Sequence, residues 1–238
     1  TGFMSTAAKA AAFATFLLVF VRMFEIAGTS LSQVIAVIAA ASMIIGNVTA
    51  VAQSSVKRML AYSSVAHAGY MLSGIAAANS EGETGILFYL LVYSFMNIGA
   101  FGVVSWIEQQ DDKKLSFEDY AGLGERRPAV AALMSIFMFS LAGIPPFAGF
   151  FGKYYVFLAA VKADLTWLAI IGVMTSLISV YYYLRLVVLM YFRDGEADID
   201  KPVPLAAMVA VVVAAVLVLA LGIYPSLVVE ITRGFFKI

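Results

Sequence analysis

The sequence predicts an all-α, polytopic membrane protein with about seven spanning helices, one of which is discontinuous. Hydrophobic residues make up 63% of the 238 residues and charged residues only 13%, and the mean hydropathy is +0.95. This composition lies far outside that of a soluble globular domain. Apolar windows of about 20 residues recur, each long enough to cross the bilayer core as a helix, whereas the alternating pattern of barrel strands is not seen.

The spanning segments follow one another with short polar or glycine-bearing connections. We predict spans at residues 3–24, 31–53, 59–78, 84–107, 128–159, 165–192 and 203–224. The longest connection, 108–127, carries charges of alternating sign and is predicted to hold a short solvated surface helix. The chain begins inside the first predicted span, so we expect it to be the back part of something longer.

Lysine and arginine residues near the span ends predict the orientation, because positively charged loops are retained in the cytoplasm. Eight cations fall on one side and four on the other, which places the loops 54–58, 108–127 and 193–202 inside. The inner set is Lys57, Arg58, Lys113, Lys114, Arg126, Arg127, Arg193 and Lys201, and the outer set is Arg22, Lys162, Arg233 and Lys237.

The composition also excludes several classes of site. Fifteen basic and fifteen acidic residues leave no net charge, so no nucleic-acid partner is predicted. Cysteine is absent, which excludes disulfides and iron–sulfur ligation by this chain, and one histidine cannot form a multi-histidine metal site. The sequence has neither a phosphate-binding lysine loop nor a dinucleotide glycine fingerprint. We therefore predict no cofactor or metal site in this chain.

A break in the fifth predicted span is the clearest functional signal. The stretch LAGIPPFAGFFGKYYVF places Gly143, Pro145 and Pro146 in an apolar segment, and proline removes a backbone donor and clashes with the preceding turn. We expect the helix to open at residues 144–148, because irregular backbone at membrane depth lines a hydrated cavity or is buried in protein. Lys153 follows the break and is interpreted as a proton-relay residue. The alternative is a packing kink with a lysine that snorkels to the interface.

Lys9 is the second charge predicted within the membrane. It is flanked by alanines in TAAKAAAF, and small neighbours let other helices approach closely, so we expect it to face the bundle. The alternative is a later start of the first span, with Lys9 snorkelling to the inner interface. Acidic residues fall in loops or at span ends, so the counter-charge of both lysines is expected outside these 238 residues.

His67 is predicted to lie about 15 Å deep, since it follows the basic pair of its span by about ten residues. An intramembrane histidine is a natural proton carrier, because a free imidazole titrates near neutral pH. The equally supported alternative is a neutral packing residue that is hydrogen-bonded among Tyr62, Ser63 and Ser64.

One face of the fourth predicted span carries a polar stripe. Tyr89, Tyr93 and Asn97 are spaced at i, i+4 and i+8, which places them above one another on the same helical face. Such a stripe could order water, although buried tyrosines often just find a hydrogen-bond partner. Arg185, in the sixth span, is interpreted as an anchor near the inner interface.

Three stretches together resemble the antiporter-like membrane subunits of respiratory complex I. They are SSVKRMLAYSSVAHAGYML, SLAGIPPFAGFFGKYYVF and VYYYLRLVVLMYF, and the resemblance extends over nearly the whole chain. In that family the residue after the helix break is lysine in two subunit types and glutamate in the third, subunit M, so Lys153 argues against M. One lysine type carries histidines and a lysine where this chain has Tyr89, Tyr93 and Asn97. This departure favours the other lysine type.

The resemblance implies fourteen spans, with two inverted five-helix repeats, of which the seven here would be the eighth to fourteenth. Residues 1–192 would hold part of the second proton-translocating repeat with connecting helices, and 193–238 the last span and tail. Lys9 would match the central lysine of the eighth helix and Lys153 the lysine of the broken twelfth helix, associated with proton exit. The family's glutamate on the fifth helix and lysine on the broken seventh are not in this sequence.

The resemblance also implies a function, which is proton transport across the bacterial inner membrane through lysine, glutamate, histidine and water, coupled to electron transfer from NADH to quinone. NADH, FMN, iron–sulfur clusters and quinone are then expected in other subunits. The implied partners are subunit M, small membrane subunits and the lipid bilayer. Two alternatives stay open: a subunit of a multisubunit cation/proton antiporter or membrane-bound hydrogenase, and a passive structural subunit.

Overall fold

The protein is built from α-helices in the computed structural model. The structure describes residues 2–108, 116–195, 197 and 203–235, with side chains except at 2–5, 18, 20–29 and 231–235. The helices, in chain order, are α1 (Gly2–Val51), α2 (Val56–Ala76), α3 (Ser80–Ile107), α4 (Leu123–Arg126), α5 (Pro128–Ala142), α6 (Ala148–Lys162), α7 (Thr166–Phe192), α8 (Leu205–Ile223) and α9 (Ser226–Phe235). A 3-10 turn at Glu118–Tyr120 lies before α4.

Four helical segments in the described ranges are long and apolar enough to cross a membrane. They are Ser30–Val51 in α1 and the whole of α3, α7 and α8, and two shorter apolar segments are Thr6–Leu17 in α1 and α5. α2 has 21 residues and so the length of a span, but its serines, histidine and two cations make it less apolar. The predicted all-α membrane architecture is confirmed.

α1 holds the first two predicted spans and turns back on itself. A straight helix would separate Lys9 from Gly46 by about 55 Å along its axis. Lys9 nevertheless bonds to Ser64 of α2, while Gly46 packs against the backbone of Ala66, two residues further along α2. The two ends of α1 therefore lie side by side against α2, as expected for separate spans at 3–24 and 31–53.

The predicted span 128–159 is interrupted where its prolines stand. α5 ends at Ala142, Gly143 adopts a left-handed conformation with φ +84°, and α6 begins at Ala148. The Pro145–Pro146 peptide bond is cis. Ser140 in the last turn of α5 accepts a hydrogen bond from the backbone N–H of Gly149 at 3.0 Å, which ties the two half-helices together across the break.

α3 lies at the centre of the bundle and packs against α1, α2, α5, α6 and α8. Its buried face includes Tyr89, Tyr93 and Asn97, so the predicted polar stripe points into the protein. Because α2, α6 and the N-terminal part of α1 surround this face, the three helices that carry His67, Lys153 and Lys9 converge on it.

The loops that the charge count places inside meet at one end of the bundle. Lys57 forms an ion pair with Glu108 at 2.6 Å, and Ala197 donates a backbone hydrogen bond to Ala121 at 3.2 Å. Lys162 pairs with Glu81 at the opposite end. Of the cations used for the orientation, Lys113, Lys114, Lys201 and Lys237 lie outside the described residues, as do the side chains of Arg22 and Arg233.

Candidate functional site

Lys153 caps the end of the half-helix that precedes the break. Its ammonium donates to the carbonyls of Leu141 at 3.0 Å and Ala142 at 2.9 Å, and to the hydroxyl of Ser176 on α7 at 2.8 Å. The last carbonyls of a helix lack intrahelical partners and carry partial negative charge, so they favour a cation. The lysine is only 5% exposed and all three acceptors are neutral. A lysine that snorkels would extend its ammonium to the membrane surface, whereas the Lys153 ammonium is bonded inside the bundle.

Gly143 provides the space for this ammonium. A Cβ at this position would lie 3.0 Å from Cδ and 3.1 Å from Nζ of Lys153. The left-handed φ of +84° is also a conformation that side-chain-bearing residues adopt at a cost. Gly143, just before the two prolines, therefore allows the backbone to turn and leaves room for the Lys153 side chain.

We expect Gly143→Ala to displace the Lys153 ammonium and to add about 1–2 kcal/mol of backbone strain. The proton transport that the resemblance implies should fall, measured in proteoliposomes with a pH-sensitive dye. Gly122→Ala is the matched control, because Gly122 also has positive φ, at +74°, but contacts Gly195 in the loops. Equal loss of transport per assembled complex in both variants would contradict the assigned role of Gly143.

His67 is held between two tyrosines. Its Nδ1 lies 2.8 Å from the hydroxyl of Tyr89, and its Nε2 lies 3.1 Å from the hydroxyl of Tyr183 on α7. A neutral imidazole has one donor and one acceptor nitrogen, and a hydroxyl can serve either, so both nitrogens are satisfied. The ring is 1% exposed. These two tyrosines differ from Tyr62, Ser63 and Ser64, which the packing alternative named. Tyr62 is 41% exposed.

Lys9 faces the bundle, as its alanine neighbours predicted. The ammonium donates to the carbonyl of Ser64 and to its hydroxyl at 2.8 Å, and it lies 3.4 Å from the hydroxyl of Tyr93. It also lies 5.1 Å from the centroid of the Tyr93 ring, within the range of a cation–π contact. Lys9 is thus anchored to α2 and α3 at the same level as the polar stripe.

Each member of the polar stripe contacts a different neighbour. Tyr89 bonds to His67, Tyr93 lies against Lys9, and Asn97 donates to the hydroxyl of Thr6 at 3.1 Å. The stripe therefore joins α1 and α2 through polar contacts along α3.

Aromatic rings place His67 between the two lysines. Its ring centroid is 5.2 Å from that of Tyr93, which contacts Lys9, and 5.6 Å from that of Tyr70. The ammonium of Lys153 lies 5.1 Å from the centroid of the Tyr70 ring. The predicted residues Lys9, His67 and Lys153 are thus brought into one row, with a tyrosine between each neighbouring pair. We call it the buried row, because Lys9 is half-buried and the other members are buried.

Tyr70, a member of this row, and three residues that contact its members were not among the predicted site residues. Tyr70 lies three residues after His67, so a helical face shared with His67 was a usable signal. Tyr183 stands in the VYYYLR stretch, and Asn47 is a polar residue within an apolar span. Ser176 carries no sequence signal, because its role depends on the packing of α7 against α6.

A cavity of about 630 Å³ adjoins Lys153 between α6 and α7. Gly143 and Ser176 line it near the lysine, and mostly apolar side chains of the two helices form the rest of its wall. The cavity thus has Lys153 at one end and largely apolar walls elsewhere.

Arg185 lies at the end of the bundle where the charged loops meet. Its guanidinium is 4.3 Å from the centroid of the Phe117 ring, a cation–π contact with the connection that follows α3.

Among the described residues, no group of three His, Cys, Asp or Glu side chains is arranged to hold a metal ion.

The described structure is an α-helical membrane bundle with one broken helix and a buried lysine, Lys153, beside the break. Residues 1–179 match the family model described as NADH:quinone oxidoreductase/Mrp antiporter, TM, and the chain belongs to this family. Within it, the chain is similar to subunit N of NADH-quinone oxidoreductase. The relative from Trichlorobacter lovleyi is 47% identical over 239 residues, covering 100% of this chain and 49% of the relative.

Further comparisons agree with this assignment. Subunit N 1 of Chloroherpeton thalassium is 48% identical over 98% of this chain and 49% of its own length, so the chain spans about half the length of these curated relatives. A chain of respiratory complex I from Thermus thermophilus is 39% identical, with a TM-score of 0.75 over 83% of this chain and 45% of that chain. A chain of the Mrp complex from Dietzia shares the fold, with a TM-score of 0.77 at 23% identity over 86% of this chain and 46% of that chain.

The predicted family and the subunit type favoured by Lys153 and the tyrosine stripe are confirmed. The roles of Lys9, His67 and Lys153 in proton transfer, the water-ordering role of the stripe and the division at residue 192 stay predictions.

Proposed function

We propose that this chain is the proton-carrying back half of an antiporter-like membrane subunit of NADH-quinone oxidoreductase. The observation that supports this most strongly is the buried row Lys9, Tyr93, His67, Tyr70 and Lys153. A charge within a membrane is costly and marks a transport pathway by default. A half-buried and a buried lysine on either side of a buried histidine supply three groups that bind and release protons.

In this proposal Lys9 receives a proton from the side of the polar stripe and passes it towards His67 through hydroxyl groups and water. The Tyr89 and Tyr183 hydroxyls, at 2.8 Å and 3.1 Å from the two ring nitrogens, orient the imidazole for transfer. Lys153 holds the next proton over the carbonyls at the end of α5. The irregular backbone of the break gives this lysine its access to water.

The proposed division assigns residues 1–192 to part of the second helical repeat and 193–238 to the last span and tail. The counter-charges of Lys9 and Lys153 would then come from the remainder of the subunit or from its neighbours, because the described acceptors of both lysines are neutral. We further propose residence in the bacterial inner membrane and assembly with subunit M and small membrane subunits. NADH, FMN, iron–sulfur clusters and quinone would be bound by other subunits.

A subunit of a cation/proton antiporter or a membrane-bound hydrogenase is the second candidate, because the matched family includes Mrp antiporters. The higher identity to subunit N, 47% against 23% for the Mrp chain, favours the oxidoreductase. A passive structural subunit is less favoured, since it gives no reason to place two lysines and a histidine in one row inside the bundle.

The proposal is tested by purifying the native assembly through an affinity tag on the natural subunit. We expect co-purification of subunits with flavin and iron–sulfur absorbance, and NADH-dependent quinone reduction that acidifies one side of proteoliposomes. An assembly without redox subunits that exchanges Na⁺ for protons would instead support the antiporter.

A further inference from the structure

Asn47 joins three helices at the row of buried groups. Its side chain is fully buried in α1. The amide nitrogen donates to the carbonyl of Met43 at 2.7 Å and to the hydroxyl of Tyr70 on α2 at 3.0 Å. The amide oxygen accepts from the hydroxyl of Tyr182 on α7 at 2.9 Å. One side chain, itself fixed to its own helix, therefore holds one tyrosine from each of two other helices.

Both tyrosines lie beside a proposed proton carrier. The Tyr70 ring is 5.1 Å from the Lys153 ammonium and in edge contact with His67 at 5.6 Å between centroids. Tyr182 packs on the ring of Tyr183 at 4.5 Å, and the Tyr183 hydroxyl contacts Nε2 of His67. A shift of either tyrosine would change the surroundings of His67, and a shift of Tyr70 would also change those of Lys153.

We propose that Asn47 is the positioning residue that sets the spacing between His67 and Lys153, acting through Tyr70 and Tyr182. This inference rests on the proposed proton-transfer function. An amide has donors and an acceptor but no proton that titrates in the physiological range, so Asn47 orients its neighbours and carries no proton itself. Its two tyrosine contacts have opposite polarity: Tyr70 accepts from the amide, and the Tyr182 hydroxyl donates to it.

The test is Asn47→Leu in the complete complex, because leucine is of similar size and removes all three hydrogen bonds. We expect proton pumping per assembled complex to fall roughly tenfold, as is typical when a reacting group is misplaced by a fraction of an ångström or more. The pH dependence of pumping should change shape, while the KM values for NADH and quinone stay unchanged. Thr49→Val is the matched control on the same helix, since the Thr49 hydroxyl bonds only locally to Ile45 at 2.7 Å.

Tyr182→Phe removes one hydroxyl that Asn47 holds. Because the two residues act together, the double variant with Asn47→Leu should be no more impaired than Asn47→Leu alone. Should Asn47→Leu fail to assemble, Tyr182→Phe and Tyr70→Phe keep the test open, since each removes a single hydroxyl and should reproduce the altered pH dependence.

The inference is overturned if these variants lower pumping by one factor at every pH, which is the result of a purely structural role. It is also overturned if Lys153→Met stops pumping while Asn47→Leu, Tyr70→Phe and Tyr182→Phe all leave it normal. Normal pumping by Lys153→Met would instead refute the proposed function, so the two failures are distinguishable.

Discussion

Replacement of Lys153 by methionine is expected to reduce proton pumping at least tenfold. Methionine resembles lysine in length and flexibility and can fill the site, but it cannot bind a proton or satisfy the carbonyls of Leu141 and Ala142. Pumping is measured as NADH-driven acidification in proteoliposomes, and assembly as NADH oxidation with an artificial electron acceptor. The second activity should be retained.

Two companion variants separate the relay role of Lys153 from its capping role. Lys153→Arg keeps a cation for the carbonyls at the end of α5, but a guanidinium does not release its proton in a protein. We therefore expect the arginine variant to assemble and still fail to pump. Lys162→Met, on the same helix, removes an exposed ion pair with Glu81, which contributes little, and should pump normally. Full pumping by Lys153→Arg would refute the relay role of Lys153 and leave only its role in capping the end of α5.

Replacement of Lys9 by methionine is expected to be nearly as damaging. The half-buried ammonium of Lys9 contacts Ser64 and Tyr93, and its loss leaves both without their ionic partner. Under the proposed function, pumping should fall about tenfold and electron transfer should slow with it. The measurement is the number of protons moved per NADH oxidised, together with the rate.

Tyr93→Phe is the partner variant for Lys9. It keeps the ring beneath the ammonium but removes the hydroxyl, whose 3.4 Å contact with Lys9 is long for a hydrogen bond. We expect a smaller loss than in Lys9→Met. If Lys9→Met pumps normally while Lys153→Met does not, the proton path does not pass through Lys9.

Local signals predicted the features of the fold that depend on local chemistry. The apolar windows predicted the spans, and Gly143, Pro145 and Pro146 predicted the break, because proline and glycine act on the backbone where they stand. Separate spans at 3–24 and 31–53 with a short connection were predicted, whereas the structure describes one continuous helix from Gly2 to Val51.

Contacts between distant segments were beyond a single sequence. His67 and Tyr183 are separated by 116 residues and Asn47 and Tyr182 by 135, and no local pattern links such pairs. The hydrogen-bond partners of His67 are Tyr89 and Tyr183 and not the expected Tyr62, Ser63 and Ser64, because the Ser63 hydroxyl bonds within its own helix. Ser64 instead turns towards Lys9.

The buried row has a direction as well as a composition. Its members come from four helices, with Lys9 on α1, Tyr93 on α3, His67 and Tyr70 on α2 and Lys153 on α6, so the row passes from one helix to the next instead of following one helix axis. In the proposed function, a proton that moves along the row therefore passes between helices. Net transport then depends on which side of the membrane supplies water to each end of the row, beside Lys9 and beside Lys153.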